Sequence, residues 1–227
     1  MKQHSNNRTA LVFGATGLVG TYLLEQLVKL DVYSKILVFS RREPLVKNNK
    51  IKVIIDNLKS PDNISEFIKG DDLFCCLGTT IKKAGSREAF RQIDLDLPVK
   101  ISKLASANQV ANFAVISSLG GSSESKNFYL QVKGQMEKEV TKQHFKNIII
   151  VRPSLLLGKR EEFRFGEYIA RHLMPLFNPL LRGKLRKFRP VSGLTVARAM
   201  ISLALYPGNK TIYESDELNE ASGRLPS

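Results

Sequence analysis

GATGLVG, Gly14 to Gly20, follows a short apolar run, ALVFG at 10–14, and opens a stretch of amphipathic helical period at 17–30. Glycines three apart at 14, 17 and 20 permit a tight strand-to-helix turn and close backbone approach, while the first helical turn offers unpaired N–H groups to a pyrophosphate. A glycine pattern alone is weak. With a strand before it and a helix after it, the context of a dinucleotide-binding fingerprint is met, against the alternative of a turn that merely needs glycines.

Working outward, five further apolar runs alternate with helical segments: ILVFS at 36–40, IKVII at 51–55, LFCCL at 73–77, FAVIS at 113–117 and IIIV at 148–151. Crossover helices are expected at 17–30, after Ser60 and Pro61, over a longer stretch ending near Asn108 that Pro98 divides, and at 127–142. This alternation predicts an α/β fold, a Rossmann-type doubly wound parallel sheet. The whole chain, 1–227, reads as one domain, in which 152–227 supplies a small C-terminal lid and terminal helices. EEFRFGEYIARHL (161–173) and TVARAMISLAL (195–205) have helical patterning, and the tail ELNEASGRLPS (217–227) is expected to be loosely held.

At 227 residues and 43% hydrophobic content the chain can bury a substantial core. The first ten residues, MKQHSNNRTA, lack the apolar stretch of a secretory signal, and no apolar run approaches the roughly eighteen residues of a membrane span. The expectation is a soluble cytoplasmic protein. Cys75 and Cys76 are neighbours in a strand-like run, which suits a reducing compartment and buried strand residues better than a disulfide framework. His4, His144 and His172 show no ligand spacing, so no metal site is expected.

Thirty-five Lys and Arg against 21 Asp and Glu give a net charge of +14. About half of that excess lies between Arg152 and Arg189, densest in RGKLRKFR at 182–189. A solvated basic face is the plain reading; an anionic substrate, a protein partner or an acidic surface is the alternative. LMPLFNPLLRGKLRKFR (173–189) interleaves apolar and basic residues and leaves peripheral membrane contact open, although Pro175 and Pro179 interrupt any continuous helix. Nucleic-acid binding is disfavoured, because charge is its only support and no recognisable module is present.

The end of the second strand bears on the cofactor. A site for an unphosphorylated ribose usually places an acidic residue there, whereas this chain has Ser40, Arg41 and Arg42. Guanidinium groups suit a phosphate dianion, so NADPH is expected over NADH, with Glu43 as the one opposing sign. Asp56, closing the third strand, lies where an acidic side chain could meet the adenine amino group.

FYLQVKGQ at 128–135 holds Tyr129 and Lys133 four residues apart. On a helix this spacing puts both on one face, so the ammonium can sit near the phenol. Tyr206 and Lys210 have the same spacing, but Pro207 and Gly208 break the helix between them. A free tyrosine has a pKa near 10, and a neighbouring cation favours its phenolate, making Tyr129 a workable general acid toward a carbonyl oxygen.

With GATGLVG, SRR, CLGTT, VISS and YLQVK in order at strand ends and on a helix, the chain resembles the atypical short-chain dehydrogenases and reductases. CLGTTIKKAGSREAF, VISSLGG, FYLQVKGQMEKEV and VRPSLLLGKREE are most similar to the small branch of Tat-interacting protein oxidoreductases, with likeness running from about residue 8 to 205. The resemblance implies that Gly14, Thr16, Gly17, Leu18 and Val19 line the pyrophosphate. Ser40 and Arg41, with Arg42, would hold the adenosine phosphate, and Asp56 and Leu58 would flank adenine. Leu77, Gly78 and Thr79 match the loop beside the nicotinamide ribose. Pro153, Ser154, Leu155 and Leu156 match the turn facing the carboxamide. Ser118, Tyr129 and Lys133 fall on the catalytic triad, with Lys133 also on the ribose hydroxyls.

There are departures. Ser117 precedes Ser118, and either could face inward; the second is preferred. Asp94, in FRQIDLD, stands about where larger relatives carry an asparagine, and no role follows from the sequence. The short C-terminal portion argues against a sugar-nucleotide substrate. Lys82, Lys83 and Arg87 read as a solvated loop, with substrate anions as the alternative.

Two functions are carried forward. One is an NADPH-dependent oxidoreductase acting on a small carbonyl substrate beneath an apolar lid at 161–177. The other is an NADPH-sensing regulatory protein with little turnover, meeting a protein partner through its basic C-terminal surface.

Overall fold

The computed structural model describes residues 7–157 and 183–226, so the expected lid at 161–177 and most of the segment considered for membrane contact lie outside the described residues. Seven strands form one parallel sheet: β1 (Arg8–Phe13), β2 (Tyr33–Ser40), β3 (Ile51–Ile55), β4 (Asp72–Cys75), β5 (Asn112–Ile116), β6 (Asn147–Arg152) and β9 (Ile212–Glu214), in the order β3-β2-β1-β4-β5-β6-β9. A separate parallel pair joins β7 (Leu156–Leu157) to β8 (Val191–Ser192). The order reverses between β1 and β4, and a crevice at that switch point, outside the strands' C-terminal ends, is where doubly wound sheets bind ligands.

Alternation along the strands supplies two cores. Ala10, Val12, Ile36, Val38, Phe74 and Val151 face α1 (Leu18–Leu27), α6 (Gly193–Leu205) and α7 (Ser215–Ser222). Leu11, Phe13, Leu37, Phe39, Leu73, Cys75 and Val115 face the opposite layer. That layer contains a 3-10 helix at Pro61–Phe67, α4 (Leu97–Ala107) and α5 (Phe128–Val140). Period-two alternation with both faces apolar is what a parallel sheet covered on both sides requires. No helix among the described residues is long and apolar enough to cross a membrane.

The long third crossover is divided, as expected, but by more than a proline. Two short helices, α2 (Ile81–Ala84) and α3 (Arg87–Arg91), lead into a π-helical turn at Gln92–Asp96 before α4 begins. Pro98 lacks the N–H that would bond the Asp94 carbonyl, so the α-helical ladder is interrupted there.

The tail corrects an expectation. Glu214 and Glu217 form a capping box for α7; Leu218, Ala221 and Leu225 are buried; Arg198 donates to the Ser222 and Leu225 carbonyls. Its polar composition concealed an apolar stripe narrow enough to look like a loose end. The three-residue β9 was also not foreseen, because IYE is too short to show alternation.

Candidate active site

The loop after β1 makes a close approach. Gly14 adopts φ +80°, and a Cβ there would lie 2.6 Å from the Cys76 carbonyl carbon, so both the turn and its contact with the end of β4 exclude a side chain. Gly17 caps α1 in an extended conformation without a side-chain hydrogen bond to the first turn. An N-terminus left without a side-chain cap, at the switch point of a parallel sheet, fits a dinucleotide pyrophosphate. Thr16 is exposed in this loop and Leu18 half-buried, while Val19 turns into the core.

Ser40 ends β2 and is buried, whereas Arg41 and Arg42 are exposed and form no ion pair among the described residues. Asp56 accepts the Leu58 amide at 2.5 Å, closing a turn in which Leu58 is held at φ +60°. One Asp56 oxygen therefore serves the turn. Leu58 itself packs into the core at 8% exposure, on the sheet face covered by α4 and α5.

The other expected residues come from β4, β5 and β6. Leu77, Gly78 and Thr79 follow β4, and Thr80 caps α2 by accepting from the Lys83 amide. Pro153, Leu155 and Leu156 follow β6; the intervening Ser154 is tied down, its hydroxyl donating to the Arg189 carbonyl at 2.6 Å and its amide to Ser215 Oγ at 2.8 Å. Burial pushes the Cys75 thiol up to about 12 and moves the Cys76 thiol upward as well, so neither is a ready nucleophile at neutral pH.

Tyr129 and Lys133 lie one turn apart on α5, whose first turn is capped by Asn127. The Tyr129 ring packs on Phe90, centroids 5.6 Å apart, and Phe90 also meets Phe128 at 6.0 Å. Lys133 is only 4% exposed; its ammonium stands 2.7 Å from Asp94 Oδ1 and 3.4 Å from the Ile116 carbonyl. Burial opposes its charge, but Asp94, with Tyr129 adding to it, outweighs burial and holds the pKa above the ordinary lysine value.

The two serines part company. Ser117 is buried and donates to Glu137 Oε1 at 2.5 Å; Glu137 also receives the Arg152 guanidinium, which binds the Gly121 carbonyl at 2.9 Å. Burial and Glu137 compete at Arg152, where the Glu137 hydrogen bond is the stronger influence and raises its pKa. Ser118 is half-buried and its hydroxyl has no hydrogen-bond partner among the described residues.

Glu137 and Arg152 were not singled out in the sequence, although Glu137 sits four residues beyond Lys133 and completes a Tyr129–Lys133–Glu137 stripe on one helix face. Gly134 was also passed over. A Cβ there would collide with the Ser122 backbone, so this glycine lets α5 lie against the loop that carries Ser118.

A family model described as NAD(P)H-binding matches residues 14–169. Protein HTATIP2 of Rattus norvegicus is 34% identical over 207 residues, covering 89% of this chain and 84% of that protein. Protein FMP52, mitochondrial, of Debaryomyces hansenii is 33% identical over 204 residues, 88% of each. Among solved structures, MoeE5 in complex with UDP-glucose and NAD superposes with a TM-score of 0.67 at 14% identity, covering 95% of this chain and 81% of that one. At that identity the likeness concerns the fold.

Proposed function

Since the chain belongs to the NAD(P)H-binding family, in the atypical short-chain dehydrogenase/reductase branch of HTATIP2 and FMP52, we propose that it is an NADPH-dependent oxidoreductase reducing a small carbonyl compound. The observation that carries this reading is a buried, charged lysine one helical turn from a half-buried tyrosine, at the C-terminal ends of β4 and β5. A buried ammonium is costly to keep, and families with this fold use one to tune a phenol.

When bound, a reduced nicotinamide supplies hydride to the carbonyl carbon. Tyr129 donates its phenolic proton to the carbonyl oxygen as negative charge develops there. Lys133 stabilises the phenolate left behind and holds ribose hydroxyls. Ser118 donates a hydrogen bond to the same oxygen, a role for which Ser117 is poorly suited because its hydroxyl is engaged by Glu137. The Phe90 ring limits the directions in which Tyr129 can point.

Gly14, Thr16, Gly17, Leu18 and Val19 are assigned to the pyrophosphate, Asp56 and Leu58 to adenine, and Leu77, Gly78 and Thr79 to the nicotinamide ribose. Pro153, Leu155 and Leu156 are assigned to the carboxamide. The preference for NADPH rests on Ser40 and the exposed guanidinium groups of Arg41 and Arg42. The adjacent free thiols of Cys75 and Cys76 suit a reducing compartment, and we place the protein in the cytoplasm; FMP52 is described as mitochondrial, so imaging of a tagged protein is the direct check.

The test is to titrate the purified protein with NADPH and NADH and then follow NADPH oxidation against a panel of aldehydes, ketones and quinones. Turnover that Tyr129→Phe abolishes while NADPH still binds supports the proposal. NADPH binding with no turnover on any of them would favour the regulatory reading instead.

A further inference from the structure

The reductase reading leaves the buried carboxylate beside Lys133 without a task. Asp94 is 1% exposed at the centre of the π-helical turn Gln92–Asp96, a kind of helical irregularity that recurs at functional sites. Its two oxygens are divided between two elements: Oδ2 accepts the Thr79 amide at 2.9 Å, and Oδ1 lies 2.7 Å from Lys133 Nζ. A Cβ on Gly78 would be 3.5 Å from Asp94 Oδ1 and 3.9 Å from the lysine nitrogen, so the pair lies directly beneath the loop that ends β4.

The other groups acting on this ammonium are the Ile116 carbonyl from β5, the Cys75 thiol from β4 and Tyr129 on its own helix. Among the described residues that act on this ammonium, Asp94 is the one carboxylate. Oδ1 nevertheless has no well-directed hydrogen bond among the described residues, so what it offers the lysine is charge at close range.

We propose that Asp94 is the positioning residue of the site, one carboxylate that keeps the Lys133 ammonium charged and in place with one oxygen and fixes the loop at Thr79 with the other. The proposal rests on the reductase reading and gives it a physical requirement. An amine buried without a counter-ion sheds its proton, and a neutral lysine cannot stabilise a phenolate. Because the same carboxylate holds the Thr79 amide, the loop assigned to the cofactor ribose and the proton-handling side chain are set from a single point. Asp94 touches neither substrate nor cofactor in this scheme; it acts through its two neighbours.

Two substitutions separate its two duties. Asp94→Asn removes the charge and keeps an oxygen that can accept the Thr79 amide; Asp94→Ala removes both. The titration of Lys133 is read without cofactor, by carbon-13 chemical shifts of lysine Cε in isotopically labelled protein, with Lys133→Met assigning the resonance. Asp94→Asn should lower the proton affinity of Lys133 at least about tenfold, one pH unit. NADPH affinity, measured by fluorescence titration near neutral pH, should fall further in Asp94→Ala than in Asp94→Asn. A Lys133 titration unchanged in Asp94→Asn would overturn the electrostatic half of the proposal, and equal NADPH affinities in the two variants would overturn the loop-holding half. Neither readout requires turnover, so a protein that proves not to be a reductase leaves this test intact.

Discussion

Asp72 and Asp94 are both buried aspartates facing a cation, one at the N-terminal end of β4 and the other beside the loop that leaves its C-terminal end, yet their surroundings differ. Asp72 accepts four hydrogen bonds: Arg8 Nε at 2.8 Å, Arg8 Nη2 at 2.6 Å, the Tyr33 hydroxyl at 2.7 Å and Asn112 Nδ2 at 2.6 Å. Asp94 has one backbone amide and one ammonium. The cations differ too, since arginine stays charged under any condition in which a protein is folded, whereas a buried lysine can give its proton up. A carboxylate saturated by a bidentate guanidinium, a phenol and an amide locks strand ends together. A carboxylate left with spare acceptor capacity against a lysine is suited to chemistry.

The contrast can be broken or sharpened on a stability scale. Asp72→Ala should be the most damaging change, costing about 3–5 kcal/mol, because it strands Arg8, Tyr33 and Asn112 at once. Chemical denaturation would show it, and raising the pH should bring no recovery while Arg8 remains charged.

Asp94→Asn should cost less at neutral pH, about 1–3 kcal/mol, since Lys133 can escape its predicament by deprotonating. Here the pH dependence carries a sign. In the native protein Lys133 is raised above its unfolded value, so its contribution is complete below the ordinary lysine pKa and is lost only as pH climbs through the folded value. With the carboxylate gone the folded value should drop below the unfolded one, and stability should rise with pH between the two. Denaturation midpoints of the two proteins from neutral to alkaline pH would therefore converge if Asp94 is what holds the charge, and would stay parallel if it is not.

Tyr129→Phe should move stability by less than about 1 kcal/mol, because its ring contacts survive, while turnover falls by about 10²–10⁴. Arg41→Ala, at an exposed position, should leave stability within about 0.5 kcal/mol. Its effect should appear in the ratio of NADPH to NADH dissociation constants, which should rise roughly ten- to hundredfold with the loss of one charge-assisted hydrogen bond. A ratio that does not change would move the phosphate contact to Arg42 or elsewhere.

The positions of six strands, the doubly wound class of the sheet and the place of the glycine turn were legible because alternating apolar runs and the GATGLVG loop each depend on local sequence. So was the Tyr129–Lys133 face, a matter of helical period. What stayed hidden were partnerships between residues far apart in the chain. Asp94 was visible as an oddity, but nothing in FRQIDLD says that it meets a lysine 39 positions later across a distorted turn. Glu137 and Arg152 likewise look like ordinary surface charges until β6 and α5 are packed together. Ser118 was preferred over Ser117 by resemblance alone, because the physical difference between them lies in which one reaches Glu137.

That difference has a consequence for how the region can vary. Successive residues along a strand face opposite ways, so a single-residue deletion between Phe113 and Ser117 would carry Ser118 to the place of Ser117 and Leu119 to the place of Ser118, and would turn the β5 side chains between the deletion and Ser117 to the other face of the sheet. The identity of the inward-facing alcohol is thus protected by parity: it can be altered by substitution, one atom group at a time, but scarcely by sliding the chain.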